Sequence, residues 1–471
     1  MAIIIEQKPA YDILPVGQEV IFSVSDFAIV SNETNVKLIA FVFVSNEPIS
    51  ILNQGDYVGT FKTTPNAAGV GMFDFSSVIE SYVNADNLAK NSSSYKGTSV
   101  TTDTPTPLHL IDKFSRNTNI ARYFQVVFMS EYLDTTQTPP VIVVNSNTGA
   151  ISNQMTIING YLKSTDILNS FAGDFGYYIE KFFLSPVVSF GDLPAKWLTN
   201  APDVRYALPT DYGVASLFSF PNNGASLGKI RLSYFKSDGT VLATEQVDND
   251  FANGGTIPYN SNSDYDILHF GCYPANIYGW SVVFKNFLDA GDIESYTVQG
   301  YTTGGLAVTY PFTINILCPN QKGYEPIRLT WLNQWGTWDY YTFNMKSSKS
   351  ISTKGSTYEQ LGGTWNEMHY RPYSFKGGKK SFRVNATEKV IMNTDFVNES
   401  ESEWFEELIN SPEIYILEGF QTDPAGSSLN NYVTPVRLQT SSYTRKTVAN
   451  DKLMQYTFEI EKSKMLRTQA V

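Results

Sequence analysis

The sequence predicts a mainly β protein: two N-terminal β-sandwich-like domains, residues 1–150 and 151–325, followed by a smaller α+β domain over 326–471. Three observations carry that expectation. Phe and Tyr, 30 and 29 of 471 residues, favour strands and interfaces. Glycine-containing turn signals recur through the middle of the chain. Two segments near its C-terminal end alternate apolar and polar residues with the period of a half-buried strand.

In residues 1–150, Val36 to Val44 is apolar on both faces, as expected of a central sandwich strand. Arg122 to Met129 reads as a second strand. Ser77-Val78-Ile79-Glu80 has capping-box spacing and predicts a short helix running toward Tyr82. The Asn/Ser/Thr/Pro-rich stretch 84–107 predicts a long surface loop. Thr135 to Pro140 predicts a linker or a crossing between sheets.

Residues 151–325 predict a second all-β module of immunoglobulin-like or fibronectin-like type. Turns are expected at Asn222-Asn223-Gly224, Ser237-Asp238-Gly239, Asn253-Gly254-Gly255 and Thr303-Gly304-Gly305, because glycine accepts the positive φ of tight hairpins. Leu232 to Phe235 leads into the Asp238-Gly239 turn and Thr240 to Leu242 leads out.

From residue 326 the text is most informative. Pro326 to Phe343 places three of the seven tryptophans within eight residues. Ile327, Leu329 and Trp331 share one face, and Tyr341, Phe343 and Met345 share another. With Asn333-Gln334-Trp335-Gly336 between them, this predicts a β-hairpin. Ser400-x-x-Glu403 has capping-box spacing ahead of Trp404, Phe405, Leu408 and Ile409, which fall on one helical face, and Pro412 ends that helix. Met454, Tyr456, Phe458 and Ile460 then alternate with polar residues, as in a half-buried strand. Trp331, Phe343, Trp404, Leu408, Tyr456 and Phe458 are therefore the expected structural core of this domain.

The aromatic hairpin, the acidic segment Met392 to Tyr415, and the stretch from Val436 to Glu461 resemble tail and neck virion proteins of crAss-like and related Bacteroidota-infecting tailed phages. The order is the same: aromatic hairpin, acidic helix, a Ser441-Ser442-Tyr443 turn, and a strand opening Asn450-Asp451-Lys452-Leu453. The resemblance covers roughly residues 326–467 and is weaker over 1–325. It implies a structural subunit of a ring around the DNA channel, self-associating as a homo-oligomer. Other tail, neck or portal proteins, and tail fibres, would be its partners. The implied location is the tail of the virion, after synthesis in the host cytoplasm.

Chemistry is sparse. His109, His269 and His369 lack partners at metal-ligand or triad spacing and read as packing or surface residues. No G-x-S-x-G elbow, P-loop, dinucleotide fingerprint or zinc pattern occurs. No catalytic residue, cofactor or metal is expected. Glu401, Glu403, Glu406 and Glu407 read as acidic residues complementing a helix N-terminus rather than as paired catalytic carboxylates. Trp331, Trp335 and Trp338 suit either a sugar-stacking platform or a core, and alternation favours the core. Cys272 and Cys318 read as buried thiols rather than a disulfide framework. The first residues carry no secretory pattern, and no run reaches the ~20 apolar residues of a membrane span, so retention in a cytoplasm and no membrane partner are expected.

Charge says more. The net charge of −12 disfavours nucleic-acid binding by the surface as a whole. Residues 346–389 nevertheless hold nine basic and three acidic residues, +6, while 395–407 hold six acidic residues and no basic one, −6. These blocks could pair within one domain, or meet head to tail between subunits, or the basic block could touch DNA locally. The candidate subunit-contact residues are Lys376, Lys379, Lys380 and Arg383 against Glu403, Glu406 and Glu407. The leading functional expectation is a non-enzymatic structural virion protein. The alternative is a phage adsorption or carbohydrate-binding β-sandwich protein.

Overall fold

A computed structural model describes residues 3–10, 13–46, 49, 56–85, 114–116, 120–163, 166, 181–182, 184, 193–218, 227–249, 267–318, 323–418, 433–440, 454–464 and 466–467. The fold is mainly β, with about half of the described residues in strands and 13% in helices.

The strands run in chain order from β1 (Ile4–Gln7), β2 (Ile13–Pro15), β3 (Ile21–Ser25), β4 (Thr34–Ser45) and β5 (Tyr57–Thr63) to β6 (Val70–Asp74), β7 (Phe114–Arg116), β8 (Ala121–Asp134), β9 (Val141–Ile151) and β10 (Met155–Ile158). Next come β11 (Val204–Ala207), β12 (Val214–Phe218), β13 (Lys229–Phe235), β14 (Val241–Asp248), β15 (Ile267–Gly271), β16 (Ser295–Tyr301) and β17 (Phe312–Ile316). The last are β18 (Ile327–Leu332), β19 (Trp338–Phe343), β20 (Ser348–Gln360), β21 (Gly378–Asn393), β22 (Ile414–Leu417), β23 (Val433–Leu438), β24 (Thr457–Lys462) and β25 (Leu466–Arg467). The chain divides into two compact units. Among the described residues, the first unit holds everything up to Leu317 together with Leu332–Asp339, and the second holds the rest.

In the first unit, the sheet β1-β3-β6 faces the sheet β2-β10-β8-β4-β5, with β9 added on β8. Alternation explains the core between them. Phe22 and Val24, Leu38, Ala40 and Val42, and Phe124, Val126 and Phe128 are each spaced by two and point inward. The Phe22 ring lies 5.4 Å from Phe128 and 5.8 Å from Phe75. β4 has neighbours on both sides, as its doubly apolar sequence predicts. β10 lies between β8 and β2, and β7 pairs with β15, so sheets join sequence on either side of residue 150.

Three expectations need correction here. The helix Ser76–Ile79 forms and continues into the 3-10 turn Glu80–Tyr82, but Ser77 does not cap it. Instead Asp74 accepts from the Ser76 N–H at 3.0 Å. Residues 135–140 are neither linker nor sheet crossing: they connect β8 to β9, which pair antiparallel. Finally, residues 151–325 are not all β. Helices Pro274–Trp280 and Val282–Ala290 lie between β15 and β16. Pro274 opens the first, the Ser281 hydroxyl caps the second through the Phe284 N–H at 2.9 Å, and Gly291 ends it at φ +73°. Phe284 is buried against Tyr234 and Tyr296, at ring distances of 5.3 and 5.5 Å.

The hairpin of β13 and β14 turns at Asp238-Gly239 as read, with the Asp238 carboxylate accepting from the Thr240 N–H and Gly239 at φ +80°. The turn at 303–305 also forms, closed by the Gly305 N–H donating to Thr302. The expected turns at 222–224 and 253–255, and almost all of the expected loop 84–107, lie outside the described residues.

The second unit is built on one sheet of order β19-β18-β22-β23-β24-β21-β20, with β25 on β21. Helix Glu399–Asn410 supplies its aromatic filling.

Candidate interaction surface

The base of the second unit is an aromatic cluster. Trp331, Phe343, Leu408 and Phe458 are 0–1% exposed, Trp404 is 4% and Tyr456 is 9%. The Trp331 and Trp404 rings lie 4.8 Å apart, and Phe405 reaches Tyr341 at 4.9 Å and Phe458 at 5.6 Å. The opposite face of β18 is covered too. Arg328 is 5% exposed, donates to the Thr342 hydroxyl at 2.8 Å and lies over the Tyr340 ring. β18 is thus buried on both faces, where strict alternation suggested one.

The helix starts two residues earlier than expected. Asn398, not Ser400, is its N-cap: Asn398 Oδ1 accepts from the Glu401 N–H at 2.8 Å and Glu401 Oε2 accepts from the Asn398 N–H at 2.9 Å. Both Asn398 and Ser400 precede a glutamate by three, so spacing alone does not choose between them. Burial raises the Glu401 pKa above its ordinary value, the Asn398 N–H works against that, and the Asp395 charge adds to it. The Tyr341 phenol is raised by burial and by the charges of Glu401 and Asp395.

The tip between β18 and β19 belongs to the first unit. Asn333 Nδ2 donates to the Leu198 carbonyl at 2.9 Å and Thr337 Oγ1 to the same oxygen at 2.7 Å. Gln334 Nε2 donates to the Tyr161 carbonyl at 2.9 Å, and Thr199 Oγ1 to Asp339 at 2.6 Å. Gly336, at φ +76°, passes so close to the Asn159 carbonyl that a side chain there would clash. Trp331, Trp335 and Trp338 are all at most 2% exposed, so they form no exposed platform.

Exposed aromatic surface lies elsewhere. β20 and β21 form a hairpin of 13 and 16 residues. The proximal half of β21 is held by β24 and β25, and Val390 and Met392 are buried there. Among the described residues, β21 pairs only with β20 toward the tip, β20 ends the sheet, and most residues from Ser348 to Arg383 are exposed. The connecting loop nevertheless has a definite shape. The Thr364 N–H donates to the Arg371 carbonyl, the Arg371 N–H donates to Thr364 Oγ1, and the Tyr373 N–H donates to the Gly362 carbonyl. Tyr373 and Phe375 stack at 5.2 Å beneath the Lys376 ammonium. From this frame Trp365 is 85%, Met368 94% and Phe375 73% exposed. Aromatic density in Trp365 to Phe375 was the available sequence signal, but the segment lacks any periodicity.

The charged candidates separate. Lys376, Lys379, Lys380 and Arg383 all lie on this arm and are exposed. Strand register puts Lys354, Lys380 and Arg383 on one face, because Ser356 opposes Arg383 and Tyr358 opposes Lys380. Glu403 is exposed and Glu406 half-buried on the helix. Glu407, read as a contact residue, is 1% exposed. It lies three residues after Trp404, on the stripe that faces the sheet. Other basic residues of the block are paired at the base: Lys349 with Glu325 and Lys389 with Glu459, each at 2.8 Å.

His269 is buried with its Nδ1 2.7 Å from the Ser216 hydroxyl, His369 is exposed, and His109 lies outside the described residues. Cys272 and Cys318 are free thiols; Cys272 is buried as expected, but Cys318 is exposed. Among the described residues, no group of three or more His, Cys, Asp or Glu could hold a metal ion, and no helix is long and apolar enough to cross a membrane.

No family model matches the chain, and no curated protein does. Similar solved structures include two of alpha-2-macroglobulin from Escherichia coli. The native conformation, by cryo-EM, is 9% identical, with a TM-score of 0.19, covering 83% of this chain and 21% of that one. The trypsin-activated form is 9% identical, with a TM-score of 0.18, covering 97% of this chain and 23% of that one. The chain thus spans under a quarter of those proteins, and at such scores the likeness carries no argument about fold or function.

Proposed function

We propose that this chain is a non-enzymatic structural protein of a tailed phage virion, a self-associating subunit of the tail or neck ring assembly around the DNA channel. On this reading it also offers attachment surfaces to other tail components. The observation that supports it most is the arm β20–β21. It extends past its own sheet and presents exposed aromatic rings together with Met368 and Arg371, residue types that interfaces favour. Its root is packed into the sheet, with Val390 and Met392 buried where β21 pairs β24. Ring symmetry multiplies many modest contacts, so such a subunit needs no single strong one. The resemblance of residues 326–467 to tail and neck virion proteins points the same way.

The test is composition of the particle. Tailed particles purified from a culture that produces this chain should contain it in stoichiometric amounts, with antibody labelling at the tail or neck. Production during infection with absence from purified particles would overturn the proposal. A second reading, a carbohydrate-binding adsorption protein, is favoured by the exposed ring of Trp365, 85% exposed, with Tyr370 60% exposed in the same loop. Binding on a glycan array that Trp365→Ala abolishes would select it.

A further inference from the structure

The arm is unusual in being long, exposed on both faces and ordered at its tip. A two-stranded ribbon alone is marginally stable in water, and large rings held in solvent are disfavoured. Both features are accounted for if the arm is covered by a partner. Charge indicates which one. Residues 348–383 carry seven basic and two acidic side chains, +5; the chain totals −12, so the remainder carries −17. Two arms meeting each other would bring two +5 surfaces together. An arm meeting the body of another copy joins opposite charges.

We propose that the arm docks head to tail on the acidic surface of a second copy of this chain, with Trp365 and Met368 as its apolar anchors. The inference rests on the structural reading above and specifies the partner of its main surface. The acceptor is the part of the second unit whose composition mirrors the arm. There Glu399 and Glu403 are exposed on the helix, and Phe396, two residues before its cap Asn398, is 57% exposed. An exposed aromatic ring among carboxylates complements an aromatic tip among cations. Each copy then carries one donor and one acceptor surface that differ from each other. Such a contact is heterologous, and it closes into a ring when the rotation permits. Charge sets orientation and partner choice, while the buried rings hold the contact.

The experiment measures self-association of the full purified chain by light scattering, with thermal unfolding as the folding control. The parent should self-associate, more weakly at high salt. Trp365→Ser with Met368→Ser should weaken association by at least about tenfold, the scale of interface anchor residues. K379E/K380E/R383E and E399K/E403K should each abolish self-association while the chain still unfolds cooperatively. Mixing these two charge variants should restore assembly, because the basic arm of one finds the acidic surface of the other. A parent that stays monomeric, a tip variant that associates like the parent, or variants that fail to complement would each overturn the proposal. So would binding of duplex DNA lost on arm reversal while self-association persists. A monomeric parent would also count against the self-association in the structural reading, whereas a tip variant that associates normally or charge variants that fail to complement overturn this inference alone, and absence from purified particles overturns the structural reading alone.

Discussion

Trp331 offers the sharpest test of how the second unit is held together. Its side chain is 0% exposed and its ring packs 4.8 Å from Trp404. Truncation to alanine leaves a ring-sized cavity, and burying or removing such a side chain is worth about 3–5 kcal/mol. For a unit of this size that lowers the unfolding temperature by about 10–15 °C. Phenylalanine should behave differently. The Trp331 indole N–H has no hydrogen-bond partner among the described residues. Trp331→Phe removes that buried donor, whose desolvation costs about 1–3 kcal/mol, and this offsets part of the smaller cavity it creates. The expected loss for phenylalanine is therefore less than half of that for alanine. Calorimetry and denaturant unfolding of both variants decide the matter. Equal losses for phenylalanine and alanine would show that the indole N–H is satisfied. A parental unfolding temperature for Trp331→Ala would remove the aromatic cluster from the stability argument. Trp404→Ala should lose a similar amount, and the double variant less than the sum, because the two rings touch.

Three further outcomes follow from local geometry. Asn398→Ala should lower stability by about 1 kcal/mol while Ser400→Ala changes little, since only Asn398 caps the helix in the hydrogen-bonding sense; equal effects in denaturant unfolding would contradict the cap assignment. Gly336→Ala should destabilise the first unit by more than about 1 kcal/mol, through its positive φ and the clash with the Asn159 carbonyl, measured by the same unfolding; a neutral substitution would show that the loop adapts. Glu401 has a raised folded-state pKa, so the native state holds its proton longer than the unfolded chain and stability falls as pH rises from about 4.5 through the folded value. Glu401→Gln keeps an acceptor for the Asn398 N–H and should flatten that slope, whereas an unchanged pH profile would refute the assignment.

Where a strand has one dry face, the sequence revealed it. Leu232 and Tyr234 on β13, and Phe458 and Ile460 on β24, alternate with half-buried or exposed residues and were legible. The helix carrying Trp404 was legible as well, but its start was not, because two capping-box spacings overlap and tertiary packing selects one. Glu407 shows the opposite failure. Its place three residues after Trp404 already put it on the buried stripe, but it was counted with the acidic block 395–407 as a contact residue, because a charge tally ignores helical position. The helices at 274–290 were obscured by their length and by an aromatic-rich, strand-like neighbourhood. The arm was least legible, since a ribbon exposed on both faces has no burial period to read.

That lack of a period carries information about how the arm avoids uncontrolled association. β20 is a 13-residue edge strand, and a long open edge invites backbone pairing with any other edge. Its sequence resists this. Ser and Thr dominate, Lys349, Lys354 and Glu359 punctuate it, and the register shifts between Ser356 and Thr357, breaking the flat ladder a second strand would need. Ile351, 65% exposed, is its only aliphatic side chain. Apolar surface is instead concentrated in the tip loop, on side chains rather than on the backbone edge. An edge guarded by charge and a bulge, together with an unguarded aromatic tip, favours a contact chosen by shape and charge over indiscriminate strand addition. Lys354 belongs both to the charges that punctuate the edge and to the face it shares with Lys380 and Arg383 of β21, so edge protection and the like-charge repulsion of a second arm have one side chain in common.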